Sequence, residues 1–131
     1  MKHGFAMALA LVSPLCAGWA QAPGHAQAHR QGPAFDPASR IERGRALLAQ
    51  YQCGACHTIP GVPAARGQVA QTLASWSRRS YIAGRLANQP DLLAQWISAP
   101  QALVPGTAMP SMGVSPPDAQ AMAAYLFSLD E

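Results

Sequence analysis

The run Cys53-Gly54-Ala55-Cys56-His57 constrains this chain more than any other feature. Two thiols three positions apart can each form a thioether to one vinyl group of a haem, and the imidazole that follows can turn onto the iron. Other uses of such a pair fit less well. A redox dithiol wants a βαβ setting, but an Ala/Leu/Gln-rich helical stretch precedes Cys53. A zinc site wants a second pair of ligands. The remaining cysteine is Cys16, and the other histidines (His3, His25 and His29) all lie near the N-terminus. The motif reads as a haem attachment site, and since it occurs once, one haem is expected.

The N-terminus fits an exported protein. Lys2 and His3 form a short polar start, Phe5 to Ala20 is apolar, and small residues follow. This is the layout of a secretory signal peptide. The run is short for a membrane span, which needs about 20 apolar residues. Residues 1–20 are therefore expected to be removed, with cleavage after Ala20 or as late as Ala28. Cys16 reads as an ordinary apolar residue of that segment, because Leu15 is bulky where a lipoprotein signal wants a small residue. Residues 21–35, rich in Ala, Gln, Gly, His and Pro, read as a flexible leader. Residues 36–131 remain for one small domain.

Charge gives little direction. Once Lys2 is gone, eight arginines face six acids, a net of +2, and two haem propionates would bring this near zero. No long basic stripe suggests nucleic acid. Arg40, Arg43, Arg45 and Arg78, Arg79 are the basic clusters, read as solvated faces.

Three main helices are expected and no strand. The first starts at Asp36-Pro37, where aspartate caps free N–H groups and proline suits the first helical position. Gly44, Leu47, Leu48 and Tyr51 share its apolar face, and it should run into Cys53. Gly44 costs such a helix about 1 kcal/mol against alanine, which a close helix crossing would offset. Pro90-Asp91 opens another helix, with Leu92, Leu93, Trp96 and Ile97 on its apolar side and Pro100 as its stop. The last begins at Ser115-Pro116-Pro117-Asp118, a cap, prolines and an acid at the positive end of the helix dipole. Its face of Met122, Tyr125, Leu126 and Leu129 is predicted to cross the first helix near Gly44.

Val104-Pro105-Gly106-Thr107-Ala108-Met109-Pro110 is the second informative stretch. Prolines restrict the chain on either side of a methionine and can hold its thioether towards the iron. With the helix carrying Gly44, the CxxCH run and an Ala-Tyr-Leu stretch in the last helix, residues 36–130 resemble a small soluble class I c-type cytochrome. The resemblance implies an all-α cytochrome c fold wrapped around one haem c, bound covalently through Cys53 and Cys56, with His57 and Met109 as axial ligands. The family pattern selects Met109 over Met112, which is expected at the haem edge or partly exposed. It also implies that Arg79 hydrogen-bonds a propionate and that Trp96 packs near the methionine sulfur. Tyr81 and Trp76 are candidates to line the pocket or reach a propionate. One departure stands out. The family often has Gly-Pro-x-Leu after the haem histidine, with the proline carbonyl accepting the histidine Nδ1–H. This chain has Ala70-Gln71-Thr72-Leu73, which keeps a carbonyl at Gln71 but loses the rigidity of proline.

The function this implies is one-electron transfer in a bacterial periplasm, without bond-making catalysis, since methionine ligation fills the iron's last position and raises its potential. Partners would be a quinol-oxidising complex, a dehydrogenase or a terminal oxidase, with the membrane met only through partners or an uncleaved signal. Two rivals are a haem protein binding a diatomic gas or peroxide, and a membrane-tethered cytochrome subunit of an oxidase or dehydrogenase complex.

Overall fold

The computed structural model describes Met1 and residues 36–130. The expected signal peptide, the leader and Cys16 lie outside the described residues. The chain divides into two units, Met1–Gly32 and Pro33–Glu131, and all that follows concerns the second.

The architecture is helical. Helix α1 (Pro37–Gln50) leads into a 3-10 turn at Cys53–Ala55. A long irregular stretch ends in a second 3-10 turn (Trp76–Arg78) and a hairpin of β1 (Tyr81–Ile82) and β2 (Leu86–Ala87). Helices α2 (Pro90–Ser98), the short α3 (Pro100–Leu103) and α4 (Pro116–Phe127) complete the domain. Proline occupies the first position of all four helices, where its missing N–H costs nothing.

The predicted crossing of the first and last helices is present. A Cβ built on Gly44 would run into the Ala121 carbonyl oxygen and lie 2.6 Å from its carbonyl carbon. Only a residue without a side chain lets the two backbones approach this closely. Around this crossing Leu47, Leu48, Met122, Tyr125 and Leu126 are buried, joined by Leu93, Trp96 and Ile97 from α2.

A polar clasp closes the exposed side of the same pair. Arg43 donates to Asp118 at 2.5 Å, and the Tyr51 hydroxyl donates to the other carboxylate oxygen at 3.0 Å. The Arg43 guanidinium, with help from Ser115 and Tyr51, holds the Asp118 carboxyl below its usual range. The hydrogen bond to Asp118 in turn pushes the Tyr51 phenol up. Arg43 is thus an ion-pair partner, not the purely solvated cation expected from its cluster.

Three local expectations are corrected. Helix α1 stops at Gln50 instead of reaching Cys53, because Gln52 turns left-handed at φ 56° and reverses the chain. Asp36 begins α1 but makes no side-chain cap; its carbonyl instead accepts from the Ser39 hydroxyl at 2.7 Å. Ser115 does cap α4, accepting from the Asp118 N–H at 3.4 Å. A small antiparallel hairpin exists, pairing Tyr81 with Ala87 and Ile82 with Leu86. Its turn needs positive φ at Ala83 (50°) and Gly84 (67°), the demand of a tight hairpin. Ile82 is its anchor, fully buried in the core.

Candidate haem site

The CxxCH run is a tight local structure. Left-handed Gln52 opens the 3-10 turn, and the N–H groups of Cys56 and His57 both donate to the Cys53 carbonyl, at 3.3 and 3.0 Å. Cys53 and Cys56 are half-buried and not joined to each other. Burial pushes the Cys53 thiol up, the opposite of the low value that makes a redox dithiol reactive. Among the described residues no group of three or more His, Cys, Asp or Glu side chains gathers as a metal cage.

The segment after His57 folds back onto the motif. Gly67 N–H donates to the Gly54 carbonyl at 3.0 Å, Ala70 N–H to Cys56 at 3.0 Å, and Leu73 N–H to Thr58 at 2.8 Å. The approach is close enough that a Cβ at Gly54 would sit 2.5 Å from the Ala65 Cα, and one at Gly67 2.5 Å from the Ala55 oxygen. The Thr58 hydroxyl adds a bond to the Gly67 carbonyl at 3.0 Å.

This return brings a carbonyl to His57. The His57 Nδ1 lies 2.6 Å from the Gln71 oxygen. A carbonyl only accepts, so a proton sits on Nδ1, and in the neutral ring this puts the lone pair on Nε2, the nitrogen that could face a metal. The bond that the resemblance assigns to a proline is therefore made here by Gln71.

Arg79 sits behind the same segment. Its Nη2 donates to the carbonyls of Thr72 and, at 3.1 Å, Ala74. Its guanidinium lies 4.8 Å from the centre of the Trp76 ring, an attractive cation–π placement. Burial pulls its pKa down, yet guanidinium remains a cation at any physiological pH. Asn88 braces this turn, donating from Nδ2 to the carbonyls of Trp76 and Arg79 at 3.0 and 2.9 Å. Neither Asn88 nor the threonines Thr58 and Thr72 carried a motif that sequence reading could use.

The remaining candidates lie on other elements. Trp96 is buried in α2, and half-buried Met109, in the loop between α3 and α4, packs against the same hydrophobic core. That loop is held by Thr107 N–H on the Val104 carbonyl (3.1 Å), with Gly106 at φ 81°, and by Gln101 on the Met109 carbonyl (3.3 Å). Met112 is 42% exposed and Tyr81 61% exposed, so neither belongs to the packed interior. The structure thus joins Cys53, Cys56, His57 and Gln71 into one unit and Trp76, Arg79 and Asn88 into its neighbour. No hydrogen bond ties Met109 to either.

These residues fit a haem. Buried side-chain polar atoms normally have partners, yet the Trp76 Nε1–H is buried without one among the described residues. A donor in that state, one turn from Arg79, suits a propionate oxygen. Half-buried Cys53, Leu86, Leu103 and Met109 fringe the core with apolar surface suited to a porphyrin face.

Comparison with known proteins agrees. The sequence model of the family described as "Cytochrome c" matches residues 41–130. A similar curated protein is the cytochrome c oxidase subunit 2 of Alkalihalophilus pseudofirmus, 35% identical over 88 residues. The alignment covers 66% of this chain but 25% of that protein, so the chain spans about a quarter of its relative. No solved structure matches.

Proposed function

Because this chain belongs to the cytochrome c family, we propose that it is an exported one-electron carrier whose single haem is bonded to Cys53 and Cys56 and ligated by His57 and Met109. Haem-based electron transfer is the family's chemistry. The observation that carries the finer reading is the 2.6 Å contact between His57 Nδ1 and the Gln71 carbonyl, which selects the tautomer whose Nε2 could bind iron.

The bound group supplies iron that cycles between ferric and ferrous states. The protein's part is positioning and polarity. His57, oriented by Gln71, would hold one side of the iron. Met109, on a loop pinned by Thr107 and Gln101, would supply a soft neutral sulfur that favours the ferrous state. Trp76 and Arg79 would take a propionate between an indole N–H and the guanidinium donors not used by the loop carbonyls. Buried Trp96 would keep water from the methionine side. With His57 and Met109 both holding the iron, the haem would exchange electrons without binding a substrate.

Export to a periplasm rests on the signal-like segment of residues 1–20. Among plausible partners, a terminal oxidase comes first, because the similar curated protein is an oxidase subunit. That likeness also supports a second reading, a cytochrome subunit tethered within an oxidase complex; among the described residues no helix is long and apolar enough to cross a membrane. In that reading the tether is an uncleaved signal segment, and intact mass of the purified protein separates a retained segment from a cleaved one.

The test is the ferrous absorption spectrum of the protein and of Met109→Ala and Met112→Ala. A low-spin spectrum lost in Met109→Ala and kept in Met112→Ala is expected. Loss in Met112→Ala alone would transfer the ligand role to Met112.

A further inference from the structure

The stretch Ala70-Gln71-Thr72-Leu73 raises a physical problem. A carbonyl that accepts from a ligating histidine's ring N–H orients that ring only as well as its own loop is held. Gln71 has no ring to fix its φ, so something else must hold its carbonyl against His57. The loop itself supplies only neutral bonds: Leu73 N–H to the Thr58 carbonyl (2.8 Å), Thr72 Oγ1 to the same carbonyl (3.2 Å), and Ala74 N–H to Thr72 Oγ1 (3.2 Å). The one charged donor on this segment is Arg79, which bonds the carbonyls of Thr72 and Ala74 through one nitrogen. Hydrogen bonds from an ionised donor are roughly twice as strong as neutral ones. Arg79 is in turn fixed by its placement over the Trp76 ring and by Asn88, which bonds its own carbonyl at 2.9 Å.

We propose that Arg79 is a positioning residue for His57: by gripping the Thr72 and Ala74 carbonyls it immobilises the loop that presents the Gln71 carbonyl to the His57 Nδ1–H. In this chain the guanidinium supplies the rigidity that proline would otherwise give at position 71. Its Nε and Nη1 donors remain available to a propionate, so the two roles are separate and can be separated by experiment. The proposal rests on the reading that His57 ligates the haem iron.

The experiment follows the Nδ1–H of His57 by proton NMR in the haem-loaded protein and measures its exchange with solvent. Arg79→Met is expected to speed this exchange about tenfold or more, since loss of a charged hydrogen bond frees the loop to open. Gln71→Pro placed on top of Arg79→Met is expected to restore slow exchange, because the Gln71 N–H makes no backbone hydrogen bond among the described residues that proline would break. A residue that touched only a propionate would shift the reduction potential and leave the exchange rate alone, and that result overturns the proposal. If Arg79→Met fails to acquire haem, the double variant decides. Recovery of holoprotein with slow exchange supports the proposal, and failure of the double variant as well overturns it. A wild-type holoprotein showing no such ring N–H contradicts the ligation reading and the proposal together, whereas unchanged exchange in Arg79→Met beside a visible wild-type signal contradicts the proposal alone.

Discussion

Gly44 and Ala121 meet backbone to backbone, with room between α1 and α4 for a hydrogen atom and nothing larger: a Cβ at Gly44 would lie 2.6 Å from the Ala121 carbonyl carbon. The glycine that weakens α1 locally is what lets it lock against α4.

Gly44→Ala should therefore destabilise the domain, although alanine is the better helix former. Overpacking of a tight contact costs about 1–3 kcal/mol, which outweighs a propensity gain of roughly 1 kcal/mol. Thermal unfolding of the holoprotein is expected to shift to lower temperature. A gain in stability would show that the crossing is looser than described.

Asp118 links the pH of the medium to the same interface. Its folded pKa is lowered, first by Arg43 and then with help from Ser115 and Tyr51. The stability it contributes is present above the unfolded carboxylate pKa of about 3.9 and is lost as pH falls through the lower folded value. Asp118→Asn should melt below the wild type at neutral pH, and the two curves should converge in acid. Parallel curves across the whole range would contradict the clasp.

Trp76→Phe removes a buried N–H that has no partner among the described residues. If a propionate accepts from it, the variant holoprotein will show a changed reduction potential and a changed pH dependence of that potential. An unaltered potential would leave the indole without that role.

Tyr125 reaches from α4 to the loop after the haem motif, donating to the Pro60 carbonyl at 2.6 Å. Tyr125→Phe should cost about 1 kcal/mol of stability, the usual net worth of such a bond. Denaturant unfolding at unchanged m-value would record it.

Much of this fold is legible in the residues, for reasons that differ from element to element. The α1–α4 crossing is legible because a mid-helix glycine with apolar neighbours needs a reason. Ser115-Pro116 and Pro90-Asp91 mark helix starts because cap and proline chemistry is local. Where sequence reading failed, the controlling interaction was distant or conformational. Nothing about Gln52 announces a left-handed turn, so α1 was expected to continue to Cys53. Two-residue strands are too short to show alternation, which hid the hairpin at Tyr81–Ala87. Asp36 has the residue type of a cap, but its side chain makes no cap hydrogen bond and its carbonyl accepts from the Ser39 hydroxyl instead.

The site divides in the same way. Cys53, Cys56 and His57 are read directly from their spacing. The acceptor for His57 is a backbone carbonyl, a group every residue carries, so the residue type does not mark it; the family resemblance points to position 71, and the folded loop brings the Gln71 oxygen to 2.6 Å. Arg79 was expected to serve a propionate, and its grip on the Thr72 and Ala74 carbonyls has no signature in sequence.

The central claim is a haem covalently held by Cys53 and Cys56, and intact mass under denaturing conditions tests it most directly. Protein made in cells able to attach haem should weigh one haem more than the signal-cleaved chain, and Cys53→Ala, Cys56→Ala protein should lose that increment. A wild-type mass equal to the bare polypeptide would contradict the account.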